Sequence, residues 1–255
     1  MKAAIRFDAA SGHGHRVRCG ALAAALREIG FDVELVDGDL AHAVDLLVVD
    51  HYELDARWES AMRRFARRVA IIDDFPGRAH DCDLLVDPDD FDGERRDAAT
   101  LLLGPRYILL RPEFAAVRQS RERHPPRTLF VAHAPAIGSL RELRIKTPSS
   151  FDAARAARSI AAADVAVVAG GMTMYEACCA GTPAIVTITA ENQRRAVDAL
   201  AQRGAIRVVS DGDYRAALDA LTADDLRAMS RLGMELVDGR GCARVASAML
   251  ALVKQ

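Results

Sequence analysis

The sequence predicts an α/β fold of two parallel-sheet halves that face a central cleft. Three observations lead there. Short, almost wholly apolar runs recur along the chain, segments with helical spacing separate them, and one charged, proline-bearing stretch interrupts the alternation near its middle. Strands that are apolar throughout belong to parallel sheets covered by helices on both faces. With 255 residues and 51% hydrophobic content, the chain can fill one large domain or two of about 120 residues each.

In the first half the strand-like runs are AAIRF (3–7), DVELVD (32–37), DLLVVD (45–50), VAIID (69–73) and DLLVD (83–87). Val17, Leu22, Leu26 and Ile29 carry the helical spacing between the first two. RQSRERHPPR (118–127), charged and carrying two adjacent prolines, reads as a linker. The alternation resumes with TLFVAHA (128–134), DVAVVAG (164–170), AIVTIT (184–189) and AIRVVS (205–210), and a helical stretch from about 240 to 253 closes the chain. The expected domains are therefore 1–117 and 128–255, each Rossmann-like, joined at 118–127. Ligands of such folds bind at domain interfaces and beyond the carboxyl ends of the strands.

Composition narrows the function. Lys plus Arg (34) and Asp plus Glu (36) nearly cancel, leaving a net charge of −2. Basic residues gather only in short clusters such as RRFARR (63–68), which read as the solvated face of a helix, so nucleic acid is not an expected partner. No apolar run approaches the roughly 20 residues of a membrane span. The opening MKAAIRFDAASGHGH lacks the apolar segment of a secretory signal. Cys19, Cys82, Cys178, Cys179 and Cys242 are scattered and form no CxxC. Reduced thiols in a cytoplasmic protein are expected, with neither a metal site nor a cofactor.

Candidate chemistry begins at SGHGHRVRC (11–19), where a strand hands over to a helix. Gly12 and Gly14 remove bulk, so that a phosphate or sugar can approach the free N–H groups of a helix N-terminus. His15, where the loop enters the helix, is the better candidate for a base near neutral pH. The competing reading is a tight turn with exposed histidines. A second glycine turn, Gly170 and Gly171, follows DVAVV; Thr173 is its expected N-cap, and Glu176 is expected on the first turn of the next helix. There Glu176 can accept hydrogen bonds from ribose hydroxyls, or merely partner the helix dipole. Asn192 and Gln193 open a helix after the following strand, within reach of a sugar or diphosphate. VVDHYE (48–53) and IIDDFP (71–76) put Asp50, Tyr52, Asp73 and Asp74 at strand carboxyl ends, as structural caps or site residues. Paired aspartates can bind a divalent metal, but no further ligand pattern accompanies these.

Taken in order, GHGHRVR, VVDHYE, IIDDFPGRAHDCDLLVDP, GPRYILLRPEF, AGGMTMYEACCAGTPAIV and ENQ resemble the nucleotide-sugar hydrolases of pseudaminic acid biosynthesis. Those enzymes release 2,4-diacetamido-2,4,6-trideoxy-L-altrose from its UDP conjugate and are related to GT-B glycosyltransferases, including the N-acetylglucosaminyltransferase of peptidoglycan synthesis. The resemblance spans roughly 1–116 and 160–210. It implies His15 as catalytic base in a G-x-G-H-x-x-R motif with Arg18, and Tyr52 as the tyrosine of D-H-Y. It further implies Glu176 on the uridine ribose, Asn192 and Gln193 on the substrate, Asp8 after the first strand, and Asp74 as second member of a D-D pair. The implied substrate is a UDP-sugar, attacked by water at the anomeric carbon without a metal. A glycosyltransferase with the same donor, and a degenerate nucleotide-sugar binding protein, are the alternatives.

The sequence departs from that family at FVAHAPAIGSL (130–140), where the family carries a glycine–glycine–aspartate type loop. His133 is a weak substitute for the lost contact. The stretch from 141 to 163 is short, so the second domain is expected to be trimmed.

Overall fold

The computed structural model describes residues 1–8, 13–93, 98, 100–119, 128–132, 144–146, 152–210 and 213–255. Gly12, His133 and most of the two stretches at 118–127 and 132–140 lie outside these residues. The chain divides into two compact units, Met1–Leu110 with Arg240–Gln255, and Arg111–Gly239.

The first unit holds strands β1 (Lys2–Phe7), β2 (Asp32–Val36), β3 (Val44–Asp50), β4 (Ala66–Ile72), β5 (Leu84–Asp87) and β6 (Thr100–Leu103). They form a parallel sheet in the order β2-β1-β3-β4-β5-β6. The order reverses between β1 and β3, so the loops leaving these two strands flank a topological switch point, where α/β sheets bind ligands. Phe7 pairs with Asp50 in register, and the Asp8 N–H donates to the Asp50 carbonyl at 2.9 Å. The apolar runs of the sequence supply five of these strands. The sixth, β6, an edge strand with Thr100 exposed, lies outside those runs.

Helix α1 (His13–Glu28) explains the placement of the histidine motif. Its buried stripe runs His15, Arg18, Cys19, Leu22, Leu26, the i, i+3, i+4, i+7 spacing of one helix face. The lower part of the stripe is core, and the first turn of the same stripe carries the polar pair. The helix stops at Gly30, whose φ of 95° lets the Phe31 N–H reach back to the Leu26 carbonyl at 3.0 Å.

The second unit holds β7 (Thr128–Ala132), β8 (Arg144–Lys146), β9 (Val165–Ala169), β10 (Ala184–Thr187) and β11 (Ile206–Val208), in the parallel order β11-β10-β9-β7-β8. Its switch point falls between β7 and β9. The stretch read as trimmed contains the edge strand β8 and a helix, Ala153–Ala161, which the sequence pattern did not separate. Every residue of β9 and β10 is buried, as a sheet covered on both faces requires. Among the described residues no helix is long and apolar enough to cross a membrane.

The expected domain boundary needs correction. The last helix, Gly241–Lys254, belongs to the first unit rather than the second. Cys242, Val245, Ala246, Met249, Leu252 and Val253 enter the core formed with Leu22, Leu26 and the β-strands of that unit. Each large apolar side chain so buried contributes about 1.5–3 kcal/mol, which outweighs chain order in deciding where the helix docks. The helix starts with a close approach: a Cβ on Gly241 would lie 2.1 Å from the Ile108 carbonyl oxygen. Conversely, Arg111 through Val117, expected in the first domain, belong to the second unit. Arg118, the first residue of the expected linker, is fixed there, donating to the Val237 carbonyl at 2.6 Å and to the Met234 carbonyl. These are carbonyls that the C-terminal turn of the helix Ala223–Leu236 leaves without intrahelical partners.

Candidate functional site

Asp50 is the last residue of β3, and its side chain is fully buried. His15 Nδ1 lies 2.8 Å from its Oδ1. Arg18 donates through Nε to Oδ2 at 2.7 Å and through Nη2 to Oδ1, a fork matched to the carboxylate. Cys19 Sγ adds a contact to Oδ2 at 3.1 Å. The other arm of Arg18, Nη1, donates to Asp74 Oδ2 at 2.9 Å. Among the described residues Asp74 Oδ1 has no hydrogen-bond partner. Tyr52 meets the His15 ring edge-on, centroids 4.7 Å apart, and Phe75 does the same to Tyr52 at 4.9 Å.

Burial alone would raise the Asp50 pKa. The Arg18 charge and hydrogen bonds, with those of His15, overcome it and hold the carboxyl well below the usual range. For Arg18, burial works against the charged form, and Asp50 and Asp74 outweigh it, so the guanidinium stays protonated. An ionised Asp50 only accepts. The proton between it and His15 therefore sits on Nδ1, and in the neutral ring Nε2 keeps its lone pair.

Thus His15, Arg18, Tyr52 and Asp74 converge, with Asp8 entering beside them from β1. The sequence named Asp50 only as a carboxylate at a strand end. Its pairing with the i, i+3 basic residues of a helix 35 positions away is visible only in the fold. Gly14, the second residue of α1, is exposed, and among the described residues outside its own helix no atom lies within 4 Å of where a side chain would begin.

The aspartates of IIDDFP do not act as a pair. Asp74 turns to Arg18, whereas Asp73 accepts from Arg78 Nη1 at 3.1 Å and from His80 Nε2 at 2.9 Å. His80 Nδ1 in turn meets Glu59 Oε1 at 2.8 Å. The His80, Glu59 and Asp73 side chains are each 1% exposed. Burial would lower the His80 pKa, but hydrogen bonds and charge from Asp73 and Glu59 raise it to about 9. This cluster anchors the loop that delivers Asp74, a role the sequence pattern did not show.

In the second unit the glycine turn is built differently from expectation. The helix is Met172–Ala180, its N-cap is Gly171, and Thr173 lies inside the helix rather than capping it. Gly170 leaves no room for a side chain, since a Cβ would fall 2.4 Å from Val197 Cγ2 and 3.1 Å from Gln193 Cβ. Glu176 is the fifth residue of the helix, not on its first turn, and it is buried. Its Oε1 accepts from Arg111 Nη2 at 2.9 Å. Asn192 and Gln193 form a 3-10 turn, Glu191–Gln193, before the helix Arg194–Gln202. Gln193 Oε1 accepts from the Thr189 N–H at 2.9 Å, so its amide oxygen braces that turn.

The first unit also has a groove of about 520 Å³ lined by Arg106, Tyr107, Arg240 and Arg244 among others; none of the predicted site residues lines it.

No family model matches the chain. It is 35% identical over 108 residues to the spore coat polysaccharide biosynthesis protein SpsG of Bacillus subtilis (strain 168). That match covers 36% of this chain and 30% of that protein's length. Among solved structures it is similar to Acinetobacter baumannii MurG, with a TM-score of 0.68 at 10% identity over 98% of this chain and 99% of that one. A putative UDP-N-acetylglucosamine 2-epimerase from Listeria monocytogenes gives 0.61 at 12% identity, covering 99% and 96%. The spinosyn rhamnosyltransferase SpnG also gives 0.61 at 12% identity, covering 97% and 100%. The fold of this chain, two parallel-sheet α/β units, is that of the GT-B glycosyltransferases.

Proposed function

We propose that the chain is a nucleotide-sugar enzyme that moves a glycosyl group from a UDP-sugar to a hydroxyl acceptor. The observation that carries this reading is the His15–Asp50 pair, braced by Arg18, at the switch point of the first sheet. The fold shared with glycosyltransferases and with a protein named for UDP-N-acetylglucosamine supports the substrate class. The partial likeness to a spore coat polysaccharide biosynthesis protein supports a role in building sugars or glycans.

In this reading Nε2 of His15 takes the proton of the attacking hydroxyl while Nδ1–H remains on Asp50. The new bond forms at the anomeric carbon, and the bond from that carbon to the diphosphate oxygen breaks with its electron pair on the phosphate. Diphosphate leaves readily, so the protein chiefly orients the nucleophile and offsets negative charge. Amides at the N-terminus of α1 suit that task. Glu176 holds the ribose hydroxyls.

Water in place of the acceptor turns the same machinery into a hydrolase, a second reading favoured by the run GHGHRVR, VVDHYE and HDCDLLVDP. A panel of UDP-sugars incubated with and without hydroxyl acceptors separates the two. UDP release that requires an acceptor supports transfer, and equal release in water alone supports hydrolysis. Binding without turnover in every case removes both and leaves a nucleotide-sugar binding protein.

A further inference from the structure

We infer that Arg78 is a positioning residue for the candidate site. Its guanidinium ties the loop that carries Tyr52 to the loop that carries Asp74 and Phe75, and so holds the rings stacked beside His15. The inference rests on the nucleotide-sugar reading above and gives a role to a residue that neither spacing nor resemblance singled out.

The two loops leave the carboxyl ends of β3 and β4. The last pair in register between these strands is Val49 with Ile71, so the ladder ends before Tyr52 and Asp74 are reached. Arg78 bridges what lies beyond it. Its Nη1 donates to Asp73 Oδ1 at 3.1 Å, in the second loop. Its Nη2 donates to the Leu54 carbonyl at 2.6 Å and lies 3.5 Å from the His51 carbonyl oxygen, both in the first loop and on either side of Tyr52. Asp73 is a firm anchor: Oδ1 also accepts from the Phe75 N–H at 3.2 Å, Oδ2 accepts from His80 Nε2 at 2.9 Å, and the side chain is 1% exposed.

A guanidinium presents its two terminal nitrogens in one plane at a fixed separation, so bonding through both fixes the distance between their acceptors. Here the acceptors belong to different loops, and each loop contributes one ring to the stack. Tyr52 stands edge-on to His15 with centroids 4.7 Å apart, and Phe75 edge-on to Tyr52 at 4.9 Å. Without the tie the stack can slide along His15, while Asp50 and Arg18 keep their own contacts. A shift of about 1 Å at a reacting group can cost about 10²-fold in rate. Because the tie sets the direction of the base, its loss falls on kcat.

The test is a double-mutant cycle on the full chain, read in kcat and in UDP affinity, with the best-turned-over member of the UDP-sugar panel above. Arg78→Met should lower kcat about 10–100-fold with UDP affinity within about twofold of wild type. Tyr52→Leu should lose a similar factor. The double variant should fall no more than about twofold below the worse single variant, as residues acting as one unit do. Arg78→Lys keeps the charge without the fork and reaches only one of the two loops. It should lose at least about threefold in kcat, again only where Tyr52 is present, and it decides the matter if Arg78→Met does not fold. A folded Arg78 variant that turns over at the wild-type rate, or whose loss multiplies with that of Tyr52→Leu, overturns the positioning role and leaves the nucleotide-sugar reading standing. A wild-type chain that turns over no member of the panel overturns that reading and this inference with it.

Discussion

His15 Nδ1 and Asp50 Oδ1 lie 2.8 Å apart, in side chains that are 6% and 0% exposed. The carboxylate that orients the imidazole is itself locked by the Arg18 fork, so ring orientation and tautomer are set before any substrate arrives. A rigid pair of this kind makes Asp50 the residue most sensitive to a change of one atom. Asp50→Asn keeps the shape and lets the amide donate to Nδ1, which shifts the ring proton to Nε2. Turnover should fall about 10²–10⁴-fold while UDP affinity is kept. Parallel measurement of kcat and of UDP binding checks it.

The same substitution withdraws the countercharge of a buried guanidinium. Asp74 still accepts from Arg18, so the loss is less than that of an isolated charge. A decrease of about 3 kcal/mol in unfolding free energy is expected. Arg18→Met with Asp50→Asn together should cost less than the sum of the two single changes. Denaturant titration of the four proteins provides the cycle.

The Glu59–His80–Asp73 cluster predicts a pH dependence of stability. The folded-state pKa of His80, raised to about 9, exceeds the ordinary histidine value near 6.5. Its contribution is therefore complete below about pH 6.5 and is lost as pH rises to about 9, with a span of roughly 2–3 kcal/mol. His80→Gln should be less stable at pH 6 and show a flatter profile between pH 6.5 and 9. Unfolding free energies across that range decide the point.

Docking of the last helix rests on glycine at position 241. Gly241→Ala drives a methyl group toward the Ile108 backbone, and the loss should be about 1–3 kcal/mol or more. Gly14→Ala, in open space on α1, should be neutral or slightly stabilising. Thermal unfolding of the two variants side by side gives the contrast.

The sequence exposes what depends on local pattern and hides what depends on pairing at a distance. Buried parallel strands such as β3 and β9 announce themselves as apolar runs, whereas the three-residue edge strand β8, with one apolar residue, carries too little pattern to register. The helix Gly241–Lys254 shows its apolar spacing, but nothing in that spacing says which core it completes. At the candidate site, motif position pointed to His15, Arg18, Tyr52 and Asp74. Asp50 joins them through a contact 35 residues away, and Arg111 meets Glu176 across 65. The turn at Gly170 and Gly171 was legible as a turn, whereas Gly14 lies inside α1. The N-cap was misassigned from Gly171 to Thr173 because hydroxyl propensity ignores the extended conformation that the second glycine adopts.

Comparing His15→Asn with wild type, in single-turnover release of UDP from a UDP-sugar, tests the base assignment most directly. The account predicts loss of release by at least about a hundredfold with UDP binding within about twofold of wild type. Release at the wild-type rate in the variant would contradict it.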